Sequence, residues 1–186
     1  MEDQPTFTAF EGNRLLVSGT LAAVLPVIKK RVDRERGEAV LIFEDATGRQ
    51  VDFDLRGTPE EVVARALPAA GPPGPGRPRL GVISREVSLL PRHWEWLEIQ
   101  PNGISAALRR LVDEARKRDP EGDRIRLAIE ATSRFMTAMA GDLPNFEEAS
   151  RALFAKEPER FAALIRKWPK DIRSHLARLA RLPPRE

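Results

Sequence analysis

The sequence predicts an α+β fold: a small N-terminal ββαββα domain, a Pro/Gly linker, a strand–helix–helix module and a C-terminal helical bundle. Three observations predict it. Short apolar runs bounded by turn residues fill the first third of the chain, as is typical of paired strands. A stretch rich in proline and glycine follows, which interrupts regular structure. Later apolar residues recur at the spacing of amphipathic helices. The predicted boundaries are 1–67, 68–79, 80–119 and 120–186.

The N-terminal elements follow from local signals. Two short apolar runs separated by Gly12 and Asn13 predict a hairpin. Thr20 is a good N-cap for a helix to about residue 36. The Thr58–Glu61 spacing with Pro59 between them is a capping box that starts a second helix. The predicted strands are 6–10, 14–18, 40–43 and 51–55.

Four carboxylates near the second predicted strand pair suggest a metal-binding or acid–base site. Asp52 and Asp54 share one predicted strand face, and Glu44 and Asp45 lie across the turn. Such a group can bind a hard cation or perform acid–base work. The alternation of polar and apolar residues also produces a solvated strand face without any function. We prefer the solvated face.

The linker carries two arginines at its end. Gly76-Arg77-Pro78-Arg79 keeps the chain extended and presents guanidinium groups, which is the chemistry of arms that enter the minor groove of DNA. The step resembles half of an AT-hook, whose core is Arg-Gly-Arg-Pro. A plain linker with two arginines is the alternative.

The middle module is predicted to contain one strand and two helices. Residues 82–89 favour a strand, Pro91 starts a short helix, and a turn at 101–103 leads into a helix over 105–118. Val87-Ser88-Leu89-Leu90-Pro91 and the run from Ser105 to Val112 resemble the ribbon–helix–helix family of DNA-binding proteins.

That resemblance implies a homodimer whose paired strands enter the major groove of DNA. If Val87 and Leu89 face the core, Ser84, Glu86 and Ser88 face the bases, whereas the other register turns Arg85 outward. The start of the second helix would bind a phosphate. The expected DNA-binding residues are Arg77, Arg79, Ser84, Arg85, Glu86, Ser88, Asn102, Gly103 and Ser105.

The alternative function is a non-catalytic protein–protein interaction module. Trp94 and Trp96 lie two residues apart and cannot share a helix face. One is expected in the core and the other at an interface, since tryptophan is favoured at contacts. His93 beside them is interpreted as a surface histidine.

The C-terminal part predicts four amphipathic helices. They cover 124–139, the stretch after a second capping box at Asn145–Glu148, the stretch after Pro158, and the stretch after Asp171. His175 in the last helix has no obvious partner. The basic residues around it either contact phosphate or form a solvated face, and we prefer the latter: Lys167, Lys170, Arg173, Arg178 and Arg181.

Composition excludes several function classes. The chain has no cysteine, so thiolate metal sites and cysteine nucleophiles are absent. We find no phosphate-binding glycine loop, no metal-ligand spacing and no Gly-x-Ser-x-Gly motif. The sequence therefore predicts no catalysis, no cofactor and no bound metal. The acidic N-terminus and the lack of long apolar runs predict a cytoplasmic protein that does not enter a membrane.

Charge is uneven along the chain. Residues 1–67 carry a net charge of −3, whereas 68–119 and 120–186 each carry +3. Basic segments after an acidic one are compatible with a polyanionic partner such as DNA.

Several long segments resemble one bacterial family. They are the Pro-Arg-His-Trp-Glu-Trp-Leu run from Pro91, the helix from Ser105, and the stretch from Phe135 to Ala149. The resemblance spans nearly the whole chain and points to an uncharacterised domain of unknown function, number twenty-two thirty-nine. It implies no activity.

Overall fold

The structure is a computed structural model that describes residues 4–34, 39–67 and 85–180. Over these residues the protein is α+β, with one antiparallel sheet and α-helices, as predicted. The chain divides into two compact units. Met1–Ala69 and Arg124–Glu186 together form the first, here called the core unit, and Ala70–Asp123 forms the second, here called the helix-pair unit.

The core unit contains a four-stranded sheet in the order β2-β1-β3-β4, with every neighbouring pair antiparallel. The predicted ββαββα order is confirmed, and the predicted hairpin is β1–β2. The elements are β1 Phe7–Glu11, β2 Arg14–Gly19, α1 Leu21–Asp33, β3 Val40–Glu44, β4 Arg49–Val51 and α2 Pro59–Ala66.

From Arg124 onwards, the C-terminal helices complete the same unit. They are α5 Pro120–Ala140, α6 Phe146–Phe154, α7 Pro158–Leu164, which runs into a 3₁₀ turn at Ile165–Lys167, and α8 Lys170–Ala180. Apolar residues of these helices, such as Phe135 and Leu176, pack into one core with Phe10 and Phe43 of the sheet.

This shared core differs from the separate modules that the sequence predicted. Residues Phe7 to Phe10 of β1 are all buried, so both faces of the central strand need a cover. One face packs on Val24 and Ile28 of α1, and the C-terminal helices cover the other. A sheet that is apolar on both faces requires a layer on each side.

Gly48 in the β3–β4 turn sets how closely this turn approaches α5. Its φ is +64°, and a Cβ at this position would lie 1.9 Å from the backbone oxygen of Ala131. Only glycine combines the left-handed backbone with such close contact.

The last predicted strand lies earlier in the chain and is shorter than expected. β4 runs from Arg49 to Val51, whereas the alternation predicted a strand over 51–55. Asp54 forms a local loop instead, because its carboxylate accepts hydrogen bonds from the backbone N and the Nε of Arg56. Phe53 and Leu55 still pack against the cluster around α1, so the alternation persists without strand pairing.

The two predicted capping boxes have different outcomes. At α2 the box is confirmed: Thr58 Oγ1 accepts from the Glu61 backbone N at 3.3 Å, and Glu61 Oε2 accepts from the Thr58 backbone N at 2.9 Å. At α6 the prediction was wrong. Asn145 has a φ of +64° and its side chain makes no capping bond, because a cap requires an extended backbone at that residue.

The helix-pair unit contains α3 Pro91–Glu98 and α4 Ile104–Arg118, which confirms both predicted helices. Asn102 and Gly103 join them with φ values of +65° and +78°. Residues 85–90 form no strand in this single chain, and 82–84 lie outside the described residues. The predicted ribbon would need the strand of a second copy, since a lone strand has no partner for its backbone groups.

Candidate functional site

The helix-pair unit has a groove between its two helices. Leu97 of α3 and Ala107 of α4 are buried, at 3% and 2% exposed. Beside them lies a mostly apolar groove of about 260 Å³. Its lining residues are Leu89, His93, Trp96, Leu97, Leu108 and Leu111.

Large apolar side chains of the helix-pair unit remain in solvent. Trp96 is 45% exposed and Val112 is 55% exposed. Their neighbours in the unit are similar: Val87, Leu90, Ile99 and Leu111. An apolar surface of this kind on a small unit is typical of a contact surface.

The two tryptophans differ in exposure, but neither lies in the core, where one of them was expected. Trp94 is half-buried, whereas Trp96 is exposed at the groove. Tryptophan presents a large rigid surface and loses little conformational entropy on binding. Trp96 is therefore the candidate contact residue of the pair.

The predicted DNA-binding residues fall into three groups. Arg77, Arg79 and Ser84 lie outside the described residues. Arg85, Glu86 and Ser88 are all exposed in the segment before α3. Asn102, Gly103 and Ser105 are exposed at the start of α4.

The start of α4 has an uncompensated helix dipole. No side chain caps this terminus, and its first turn contains no acidic residue. Helix N-termini carry a partial positive charge that attracts anions. The last turn contains Arg116, Lys117 and Arg118, which complement the negative end of the same dipole.

A second polar cluster lies in the core unit, where α8 meets the sheet. Asp45 accepts hydrogen bonds from Thr6 Oγ1 at 2.8 Å and from Thr8 Oγ1 at 2.7 Å. Arg178 Nη2 donates to Thr8 Oγ1 at 2.6 Å and lies 3.3 Å from both Asp45 oxygens. Its Nη1 donates to Ser18 Oγ at 2.9 Å. The network therefore ties α8 to the first hairpin.

His175 belongs to this network. It is 2% exposed, and its ring packs against those of Phe10 and Phe135 at 5.4 Å and 4.3 Å between centroids. Its Nδ1 lies 2.8 Å from Arg178 Nη2 and accepts from it, so Nε2 carries the proton. That atom is buried without a hydrogen-bond partner among the described residues, and Asp45 Oδ1 is 3.9 Å away.

The surroundings keep His175 neutral. Burial and then the charge of Arg178 lower the pKa of His175 to about 4, and Asp45 opposes them. Asp45 and Arg178 also border a cavity of about 610 Å³. Because these two charges pair with each other, the cluster is well suited to hold the sheet and α8 together.

The sequence did not reveal this cluster. It grouped Asp45 with Asp52 and Asp54, but Asp45 pairs with Arg178, 133 residues away. Asp54 instead pairs with Arg56 and Arg65, whose guanidinium groups hold the pKa of that carboxyl well below its usual range. Across the described residues, no three metal-ligating side chains come together. The only local signal was the three-residue spacing that places His175 and Arg178 on one helix face.

A model of a known protein family covers most of the chain. The model of the family DUF2239, described as an uncharacterised protein conserved in bacteria, matches residues 6–180. No curated protein and no solved structure matches the chain. Within the described residues, no helix is long and apolar enough to cross a membrane.

Proposed function

The chain belongs to the bacterial family DUF2239, and from the geometry of the helix-pair unit we propose that it acts as a non-catalytic protein-interaction module. The observation that carries this proposal is the exposure of large apolar side chains on α3 and α4, among them Val112 and Trp96, the latter lining a preformed groove. We call this surface the α3–α4 face.

Burial of the α3–α4 face would favour association. Full burial of a side chain such as valine or leucine is worth about 1.5–3 kcal/mol. Trp96 lines the groove and would serve as an anchor residue, because a buried indole contributes strongly to many interfaces. Leu111 and Val112 extend the surface along α4.

The test uses two matched valine substitutions. Val112→Asp places a charge on the α3–α4 face, whereas Val27→Asp places one on α1 of the core unit, where Val27 is 43% exposed. We expect a stoichiometric protein that co-purifies with wild type from the native host to be lost with Val112→Asp and kept with Val27→Asp. Equal retention by both variants would contradict the proposal.

DNA binding is the second candidate function. It is favoured by the uncapped start of α4, where Asn102, Gly103 and Ser105 are exposed and no acidic residue repels a phosphate. The resemblance of this segment to the ribbon–helix–helix family adds support. Paired strands from two copies would then read the bases, with Arg77 and Arg79 as a minor-groove arm.

Titration against pooled genomic duplexes at several salt concentrations tests this candidate. Replacing Arg77 and Arg79 with Ala should flatten the log–log salt slope by about 1 to 2 units, because fewer counterions are released. Arg85→Ala or Glu86→Ala should instead cost about 1–3 kcal/mol at one position of the site, with little change in slope. If wild type binds no duplex at low salt, DNA binding is excluded and the interaction module remains.

A further inference from the structure

We propose that the cavity bordered by Asp45 and Arg178 binds a small organic anion, a carboxylate with an apolar chain. We call it the α5–α8 cavity, because one face of α5 and the end of α8 line it together with the β3–β4 turn. Its lining residues all belong to the core unit, so this inference does not depend on the interaction proposed for the α3–α4 face. Its volume of about 610 Å³ lies within the usual range of small-molecule sites, about 300–1,000 Å³.

One face of α5 supplies much of the apolar wall. Four residues of this helix line the cavity: Arg124, Leu127, Ala128 and Ala131. Steps of three and four residues along the chain place them on one side of a helix. Leu127 is 52% exposed, and the small side chains of the two alanines occupy little of the space beside it. Leu179 of α8 also lines the cavity. The wall therefore offers apolar contact to the chain of a ligand.

The carboxylate of Asp45 has little capacity left for a ligand. Its Oδ1 accepts from Thr8 Oγ1 at 2.7 Å, and its Oδ2 accepts from Thr6 Oγ1 at 2.8 Å. Arg178 Nη2 lies 3.3 Å from both oxygens. A carboxylate has about four acceptor sites, and these contacts use them. A cationic ligand would meet a carboxylate that is already neutralised.

Arg178, in contrast, keeps donors of its own. Its Nη2 serves Thr8, Asp45 and His175, and its Nη1 donates to Ser18. The Nε and the second hydrogen of Nη1 have no acceptor among the described residues, and the side chain is 38% exposed. A guanidinium with such N–H groups binds a carboxylate well, because the hydrogen bonds are charge-assisted and match its geometry.

The balance of charge in the lining favours an anion. Arg124 and Arg178 both line the cavity, and Asp45 is the acidic residue among the lining residues. An inorganic anion would leave the apolar wall of α5 uncovered, and a neutral apolar molecule would leave the guanidinium donors without an acceptor. A carboxylate with an apolar chain satisfies both parts of the lining.

Isothermal titration calorimetry of the full chain with octanoate gives the first test. We expect one octanoate to bind per chain. The control ligand is 1-octanol, which has the same chain length without the charge, and it should bind on the order of tenfold more weakly. If octanoate does not bind at millimolar concentration, or if the two ligands bind equally well, the inference is overturned.

Two arginines of α5 form a matched pair for the charge. Arg124 lines the cavity, whereas Arg126 is exposed on the same helix and is not a lining residue. Arg124→Gln should weaken octanoate binding about fivefold and leave 1-octanol binding unchanged, because only the anion gains from the lost charge. Arg126→Gln should change neither. Equal octanoate affinities of the two variants would contradict the assignment of the anion to this cavity.

Two leucines separate the α5–α8 cavity from the α3–α4 face. Leu127→Asp removes an apolar side chain from the cavity and adds a negative charge there, so octanoate binding should fall more than tenfold. Leu111→Asp, at a residue 38% exposed in the helix-pair unit, should leave octanoate binding unchanged. Circular dichroism checks that both variants remain folded. The reverse result would place octanoate on the α3–α4 face and overturn this inference, without deciding whether that face also binds a protein.

Discussion

The two units differ in how far they bury their large apolar residues. In the core unit Phe10, Phe43 and Phe135 are fully buried, whereas in the helix-pair unit Trp96 is 45% and Ile99 79% exposed. A sheet with helix layers on both faces can enclose aromatic rings, but two short helices cannot enclose their own apolar side chains. The comparison separates residues that stabilise the fold from residues available for contacts.

Polar groups show the same difference. The core unit buries Thr8 with side-chain partners and pairs the Nδ1 of His175 with Arg178, whereas His175 Nε2 has no partner among the described residues. A buried polar group without a partner is costly. In the helix-pair unit, every charged residue of α3 and α4 is exposed. The core unit therefore depends on internal pairing, whereas the helix-pair unit presents its charges outwards.

Removal of one aromatic ring from each unit should produce the largest contrast. Phe135→Ala should lower the free energy of unfolding by about 3–5 kcal/mol, since the ring is fully buried and leaves a cavity. Trp96→Ala should cost less than about 1 kcal/mol in the isolated chain. Urea unfolding followed by circular dichroism measures both. Equal losses would show that Trp96 is part of a core.

The two histidines offer a contrast in pH dependence. The pKa of His175 is about 4 when folded against 6.5 in the unfolded chain, so the unfolded state binds more protons between these values. Stability should fall as pH drops from about 6.5 to about 4, by up to about 3 kcal/mol. The charged groups facing His175 are Arg178 of α8 and Asp45 of the β3–β4 turn.

Replacement of each histidine in turn isolates this effect. His175→Gln should remove this pH dependence of the free energy of unfolding, even if the substitution also lowers stability at every pH. His93→Gln, on the exposed surface of α3, is the matched control and should leave the slope unchanged. Urea unfolding at several pH values between 4 and 7 checks both. If the free energy of unfolding of His175→Gln still falls as steeply with pH, other titrating groups cause the pH dependence.

Two glycines with positive φ differ in their surroundings. Ala at Gly48, where φ is +64°, incurs the left-handed penalty of about 1 kcal/mol, whereas Gly103 has a φ of +78° and a ψ of 170°, a region that essentially only glycine adopts. At Gly48 the new Cβ also meets the backbone of α5, whereas at Gly103 nothing lies within 4 Å. We expect Gly48→Ala to cost about 2–4 kcal/mol in total, and Gly103→Ala about 1–3 kcal/mol from the backbone alone. Thermal unfolding of both variants measures the difference.

The smallest expected effect compares two helix starts within the core unit. Thr58→Ala removes a formed capping box and should cost about 1 kcal/mol. Asn145→Gly removes no capping bond and places glycine at a φ of +64°, so stability should be unchanged or slightly raised. A loss at Asn145 equal to that at Thr58 would indicate an interaction through its amide, which lies 3.4 Å from the Leu164 carbonyl.

Local patterns predicted the elements of both units well. Pro91, Pro158 and the Thr58 box marked helix starts that the structure confirms. The predictions failed where a residue's backbone depends on its packing. Asn145 has the composition of a cap but a left-handed backbone, and residues beyond Val51 keep strand alternation without a pairing partner.

The sequence alone determined the order of strands and helices and the amphipathic faces of α3 and α4. These features depend on residues within one or two helical turns of each other. Only the tertiary structure joined Asp45 to Arg178 and placed α5–α8 on the open face of the sheet. It also left Trp96 and Val112 in solvent. Contacts between residues more than a hundred positions apart leave no periodic trace in a single sequence, because either partner is locally compatible with many other neighbours.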